Sequence, residues 1–154
     1  MHSEHTPGMV GRLRQSPGNW QRTFRTPLER LPAFVAALLL GAPRTTGAVA
    51  TIRAIVVEPK NLARLLAHHG LAPALDSDWS ITATNPQDVN GLIEAALGDW
   101  VDFWLVPHPK GFTLYADHDE YATVFAARRG PLSKIGAAME QAGVVEVKDW
   151  VRTL

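Results

Sequence analysis

The chain predicts an α+β fold, an α/β sandwich of one sheet and its helices, in the split βαβ order of ferredoxin-like domains (βαββαβ) preceded by an extra βα unit and an N-terminal helix. Three observations predict it. Strand-type runs recur at residues 49–57, 79–84, 101–107, 112–117 and 144–154. Stretches with apolar residues at helical spacing separate most of them, and Pro, Gly or Asn marks nearly every junction.

The elements follow in order. Residues 1–26 mix Pro, Gly, Ser, Thr and Arg without an apolar period, which predicts a flexible arm. Residues 27–48 hold an apolar run and a linker. PLERLPAFVAALLLGA has two readings: a buried helix opened at Pro27 and stopped at Gly41 and Pro43, or the apolar centre of a secretory signal with cleavage near Ala50. The first is favoured and implies a cytoplasmic protein; the second implies a secreted one. At roughly a dozen residues the run is too short for a membrane span. Residues 49–154 then form a single α/β-type domain.

Within that domain, VATIRAIVV reads as a largely buried strand. Pro59 opens a helix with Leu62, Leu65, Leu66 and His69 on one face and Gly70 at its C-terminal end. After a loop containing Pro73, Trp79 to Thr84 alternates as a half-buried strand does. Asn85 and Pro86 start the clearest helix, with Val89, Leu92, Ile93, Ala96 and Leu97 in register. Two strands flank the turn His108-Pro109-Lys110-Gly111 as an antiparallel hairpin. Residues 119–129 carry Tyr121, Val124, Phe125 and Arg128 at helical spacing, Gly130-Pro131 breaks them from a second helix, and VVEVKDWVRTL closes the chain as a strand.

Composition narrows the chemistry. With no cysteine there are no disulfides, thiolate nucleophiles or Cys-held metals. GxSxG, GxxxxGK[ST], GxGxxG and HExxH are all missing, none of the domain serines Ser77, Ser80 and Ser133 has a nearby histidine in sequence, and no cofactor or catalytic residue is assigned. The net charge of zero divides unevenly: residues 1–48 carry six Arg against two Glu, a net +4, and residues 49–154 carry nine basic against thirteen acidic residues, a net −4. An acidic domain without a clustered Lys/Arg face is a poor match to nucleic acid.

The densest polar sequence is Tyr115-Ala-Asp117-His118-Asp119-Glu120-Tyr121. A hairpin turning through residues 108–111 sets Pro107 opposite Phe112, and the same ladder brings Asp102 opposite Asp117 and Trp100 opposite Asp119. Asp99, Asp102, Asp117, Asp119 and Glu120 then gather at one end, with Trp100, Tyr115, His118 and Tyr121 among them. Three readings fit these residues. Asp117 and Glu120 have the spacing of a helix capping box. An acidic patch with aromatic anchors suits a protein partner with a basic surface. Carboxylates with one imidazole also suit a divalent metal or acid–base chemistry. His108 falls at the far end of the hairpin, roughly 20 Å away at 3.3 Å per strand residue, while His68 and His69 suit a helix C-terminus. The expected function is that of a small acidic protein-binding protein, inhibitor- or immunity-like. The alternatives are a metal-assisted or acid–base enzyme built on Asp117 to Glu120, and a small-molecule-binding dimeric domain.

Overall fold

Runs of alternating or β-branched residues build one antiparallel sheet in the computed structural model, which describes residues 1–15, 17–72 and 74–154. Ser16 of the expected arm and Pro73 of the expected loop lie outside the described residues. The strands are β1 (His2–His5), β2 (Trp20–Arg25), β3 (Gly47–Ala54), β4 (Trp79–Ala83), β5 (Asp102–His108), β6 (Thr113–Ala116) and β7 (Tyr121–Ala126). The helices are α1 (Met9–Gln15), α2 (Leu31–Leu39), α3 (Lys60–His68), α4 (Pro86–Gly98) and α5 (Arg129–Gln141), with a 3₁₀ turn at Leu28–Arg30 before α2. Across the sheet the strands run β1-β4-β3-β5-β6-β7-β2. The protein is therefore α+β, with every described strand pair antiparallel.

The two faces of the sheet differ in chemistry because alternate residues along each strand point opposite ways. One face carries Phe24, Ala50, Ile52, Ile81, Phe103, Leu105, Leu114 and Val124, packed with Phe34 and Leu38 of α2, Leu92 and Ile93 of α4, and Ile135 and Met139 of α5. Burying each Phe or Leu there contributes about 1.5–3 kcal/mol. The other face holds a small aromatic cluster of Trp104, Tyr115 and Phe125 under Val10 and Leu13 of α1. Around it lie polar pairs: Thr23 with Thr123 at 3.0 Å and Thr51 with Ser80 at 2.9 Å.

Several expectations hold. The hairpin register is the expected one, with Phe103 opposite Ala116, Trp104 opposite Tyr115 and Leu105 opposite Leu114. The Asn85 side chain caps α4 by accepting the Asp88 N–H at 2.9 Å. The apolar run after Pro27 becomes α2, whose Phe34, Val35, Ala37 and Leu38 are buried. A cut near Ala50 would divide β3 and take away β1, β2 and α2, since Ala50 lies inside that strand.

Others are corrected. Residues 1–26, expected as a flexible arm, contribute β1, α1 and β2. Their apolar pattern is faint because β2 buries only Thr23 and Phe24, yet it completes the sheet by pairing with β7 from Trp20 opposite Ala126 to Arg25 opposite Tyr121. The helix expected over residues 119–129 is instead β7. Both of its faces are covered, so Ala122 to Ala126 is continuously buried and loses the alternation that identifies a half-buried strand. The closing strand is also absent: beyond one bridge between Glu146 and Phe24, the tail is irregular. From Trp79 onward the elements thus run strand, helix, three strands, helix, and not in the ferredoxin-like order.

The tail still uses its backbone. Arg25 N–H donates to Val145 O at 2.9 Å and Val147 N–H to Thr23 O at 2.9 Å, which covers part of the outer edge of β2. It then turns over the polar face, where Arg152 donates through Nε to Thr123 at 3.0 Å.

Candidate functional site

The end of the β6–β7 hairpin brings the predicted residues together, but in two separate environments. Asp117 begins the turn. Its Oδ1 accepts the N–H groups of Asp119 at 3.1 Å and Tyr121 at 3.3 Å, while its Oδ2 accepts a bond from Arg152. An aspartate that closes its own turn in this way explains why Asp-His-Asp-Glu reverses the chain here. It also corrects the capping-box reading, since no helix follows Asp117.

Asp102 lies beneath the turn at 2% exposure. Its Oδ1 accepts the backbone N–H of His118 at 2.9 Å and contacts His118 Nδ1 at 2.8 Å, and its Oδ2 stands 3.5 Å from the Arg53 guanidinium. The hydrogen bond to Asp102 raises the pKa of His118, against the smaller opposing effect of burial. Arg53 also donates to the Tyr115 hydroxyl at 2.6 Å. Burial is the main cause that raises the Tyr115 pKa, so this phenol keeps its proton.

Asp99 does a different task. It is buried, and its two oxygens accept from Asn61 Nδ2 at 2.7 Å and from the Leu62 N–H at 2.7 Å, capping the start of α3. Asp99, Asp102 and Asp117 are thus spent inside the fold, and their oxygens go to backbone amides, Asn61, His118 or arginines. Among the described residues, no group of three or more His, Cys, Asp and Glu is arranged to hold a metal ion.

The remaining residues face outward. Asp119 and Glu120 are exposed, and Tyr121 stacks on Trp150 of the tail with ring centroids 5.0 Å apart. Trp100, in the loop between α4 and β5, has φ 56°, and Glu120 has φ 69°, both left-handed in residues other than glycine. These two line the same cavity of about 260 Å³ with Arg25, Leu28 and Val145. The cavity lies where the turn meets the start of the tail, and the Glu120 carbonyl accepts from Thr26 N–H at 2.8 Å.

His108 pairs with Gly47 at the opposite end of the sheet from His118. His69, read as a helix-end residue, places Nε2 3.2 Å from Asp88 of α4.

Arg53 and Arg152 are the residues that sequence reasoning missed. Arg53 interrupts the apolar run VATIRAIVV, and a cation in such a strand signals an acid beside it. Arg152 gave no such signal because its partners Asp117 and Thr123 lie far away in sequence. The charge division is also resolved by folding: Arg22 of β2 grips Glu146 through Nε at 2.7 Å and Nη2 at 2.5 Å, so basic and acidic segments belong to one body.

The arrangement defines an α+β protein with an exposed, aromatic-flanked hairpin turn. No protein-family model, curated protein or solved structure matches the chain, and among the described residues no helix is long and apolar enough to cross a membrane.

Proposed function

We propose that the chain is a protein-binding protein, inhibitor- or immunity-like, that engages a partner with a basic surface through the turn Asp119-Glu120-Tyr121 and the adjoining Trp100. One observation carries this reading: Trp100 and Glu120 are both held at left-handed φ on the wall of one cavity. Each such residue costs on the order of 1–3 kcal/mol, and strain of this kind concentrates where side chains are kept in a working position. Trp150 at 37% exposure and Val145 at 62% add apolar surface beside two solvated carboxylates, a composition typical of an interface centre with a charged rim. The protein partner is preferred to nucleic acid because Asp119 and Glu120 would repel phosphates. The cytoplasm is the compartment of this proposal, since a chain cut near Ala50 would lose strands that complete the sheet.

The test uses the full chain as bait, compared with a Trp100→Gly/Glu120→Gly double variant. Glycine relaxes both positions, so the variant keeps its fold while losing the indole and the carboxylate. A protein captured by the native chain and lost from the variant supports the reading, as does slower and less salt-sensitive association of an Asp119→Lys/Glu120→Lys variant with that protein. Equal capture by native and variant baits refutes it.

A further inference from the structure

The polar face of the sheet holds a second feature, independent of the partner-binding reading. A cavity of about 70 Å³ lies between the tail and the sheet, lined by Arg14, Arg53, Trp104, Tyr115, Arg152 and residues 153–154. Its polar side chains on the helix and strands are donors. Arg14, Arg53 and Arg152 have no acceptor atoms. Tyr115 already accepts from Arg53 at 2.6 Å, which leaves its own O–H free to donate. Trp104 is 0% exposed, and its Nε1–H has no hydrogen-bond partner among the described residues. An unpaired buried donor is rare in folded proteins and calls for an acceptor.

Charge agrees with donor geometry. Asp102 faces Arg53 and Asp117 faces Arg152, whereas Arg14 makes no ion pair or side-chain hydrogen bond among the described residues. Two cations are thus compensated within the fold, and the third, Arg14, lines the cavity as an exposed side chain of α1. The volume limits any ligand: a water occupies about 30 Å³ of liquid, so the cavity suits one oxyanion group and not a nucleotide or sugar.

We propose that this cavity binds a single small oxyanion, a carboxylate or phosphate group, held by Arg14, Arg53, Arg152, the Tyr115 hydroxyl and the Trp104 indole N–H. The tail supplies Arg152 and one wall, so the site forms only when the tail is docked on the sheet. Guanidinium groups in such a cluster favour planar or tetrahedral oxyanions over chloride because several N–H groups meet several oxygens.

Sodium phosphate and sodium acetate, titrated separately into the full-length protein, test this by following the Trp104 indole N–H resonance, assigned with a Trp104→Phe variant. Sodium chloride at matched ionic strength is the control. The expected result is a saturable shift with a dissociation constant on the order of 1 mM. Saturation by phosphate alone assigns a phosphate ligand, by acetate alone a carboxylate, and by both the shared oxyanion chemistry. Arg14→Ala, an exposed change that suits its helix, should weaken binding about tenfold. The Asp119→Lys/Glu120→Lys variant should bind the anion unchanged, which separates this site from the partner surface. No saturable shift with either anion, an equal shift with chloride, or undiminished affinity in Arg14→Ala overturns the proposal.

Discussion

Replacing Asp102 by alanine removes the acceptor on which the hairpin turn rests. Its carboxylate is 3% exposed in the ion pair with His118, and one oxygen serves both the His118 backbone N–H at 2.9 Å and the ring nitrogen at 2.8 Å. Hydrogen bonds to a charged group are worth about 1.5–3 kcal/mol each. The sum is reduced because the two share one oxygen and the imidazole is 42% exposed, so water replaces part of the ring's loss. Arg53, at 3.5 Å and 43% exposed, adds little. The expected destabilisation is therefore about 3 kcal/mol, dominated by the unpaired backbone N–H. For a domain of this size that lowers Tm by roughly 6–12 °C. Asp102→Asn keeps an acceptor for the amide and should cost about half as much. Urea denaturation gives the free energies, and NMR titration of His118 gives a second reading: in Asp102→Asn its pKa should fall back towards the ordinary 6.5. If Asp102→Ala is no more harmful than Asp119→Ala, or the His118 titration is unmoved in Asp102→Asn, the turn does not rest on this carboxylate.

Three further outcomes are expected. Asp99→Ala removes the cap of α3 and should cost about 1–2 kcal/mol by urea denaturation, whereas a neutral result would place the start of that helix on other contacts. Glu120→Gly relieves the residue at φ 69° and should raise stability by about 0.5–1 kcal/mol in thermal melts, with the opposite sign counting against a strained turn. Because the folded pKa of His118 lies above its unfolded value of 6.5, its contribution is complete below pH 6.5 and is lost as pH rises through the folded pKa. Melts of the native chain and His118→Gln across that window should converge at the alkaline end. At the acid end, Glu146 is depressed by its bond from Arg22 and Asp78 by its bond from the Val10 N–H, so their contributions fade as pH falls below the ordinary values of 4.5 and 3.8.

What could be read in the sequence depended on whether a signal was local. The cap at Asn85, the helix after it and the hairpin register are set by residues close in the chain, and all three match. The strand β7 failed because its pattern is made by its neighbours: α5 covers one face and the aromatic cluster and tail the other, leaving an apolar run that helical spacing fits equally well. The strand β2 failed for the reverse reason, since an edge strand buries too little to show a period, and its place in the sheet comes from pairing with residues about a hundred positions away. The C-terminal run alternated like a strand but bonds the edge of β2 only briefly before Arg152 turns it across the polar face.

The candidate site shows the same division, and there it changes the chemistry. Five carboxylates within one hairpin end look like a negative field when counted along the chain. In the fold, burial forces each inward-facing acid to find a counter-charge or amide donors, because an unpaired carboxylate there is too costly. Asp99 takes a helix start, Asp102 takes His118 and Arg53, and Asp117 takes its own turn and Arg152. Only Asp119 and Glu120 keep their charge at the surface. Asp117 also fixes the mostly buried Arg152 on the polar face, while Arg53 donates to the Tyr115 hydroxyl and stays 43% exposed. A sequence that reads as acidic at the hairpin end thus places Arg14, Arg53 and Arg152 around a recess behind it, and the two ligands proposed for these surfaces are opposite in charge.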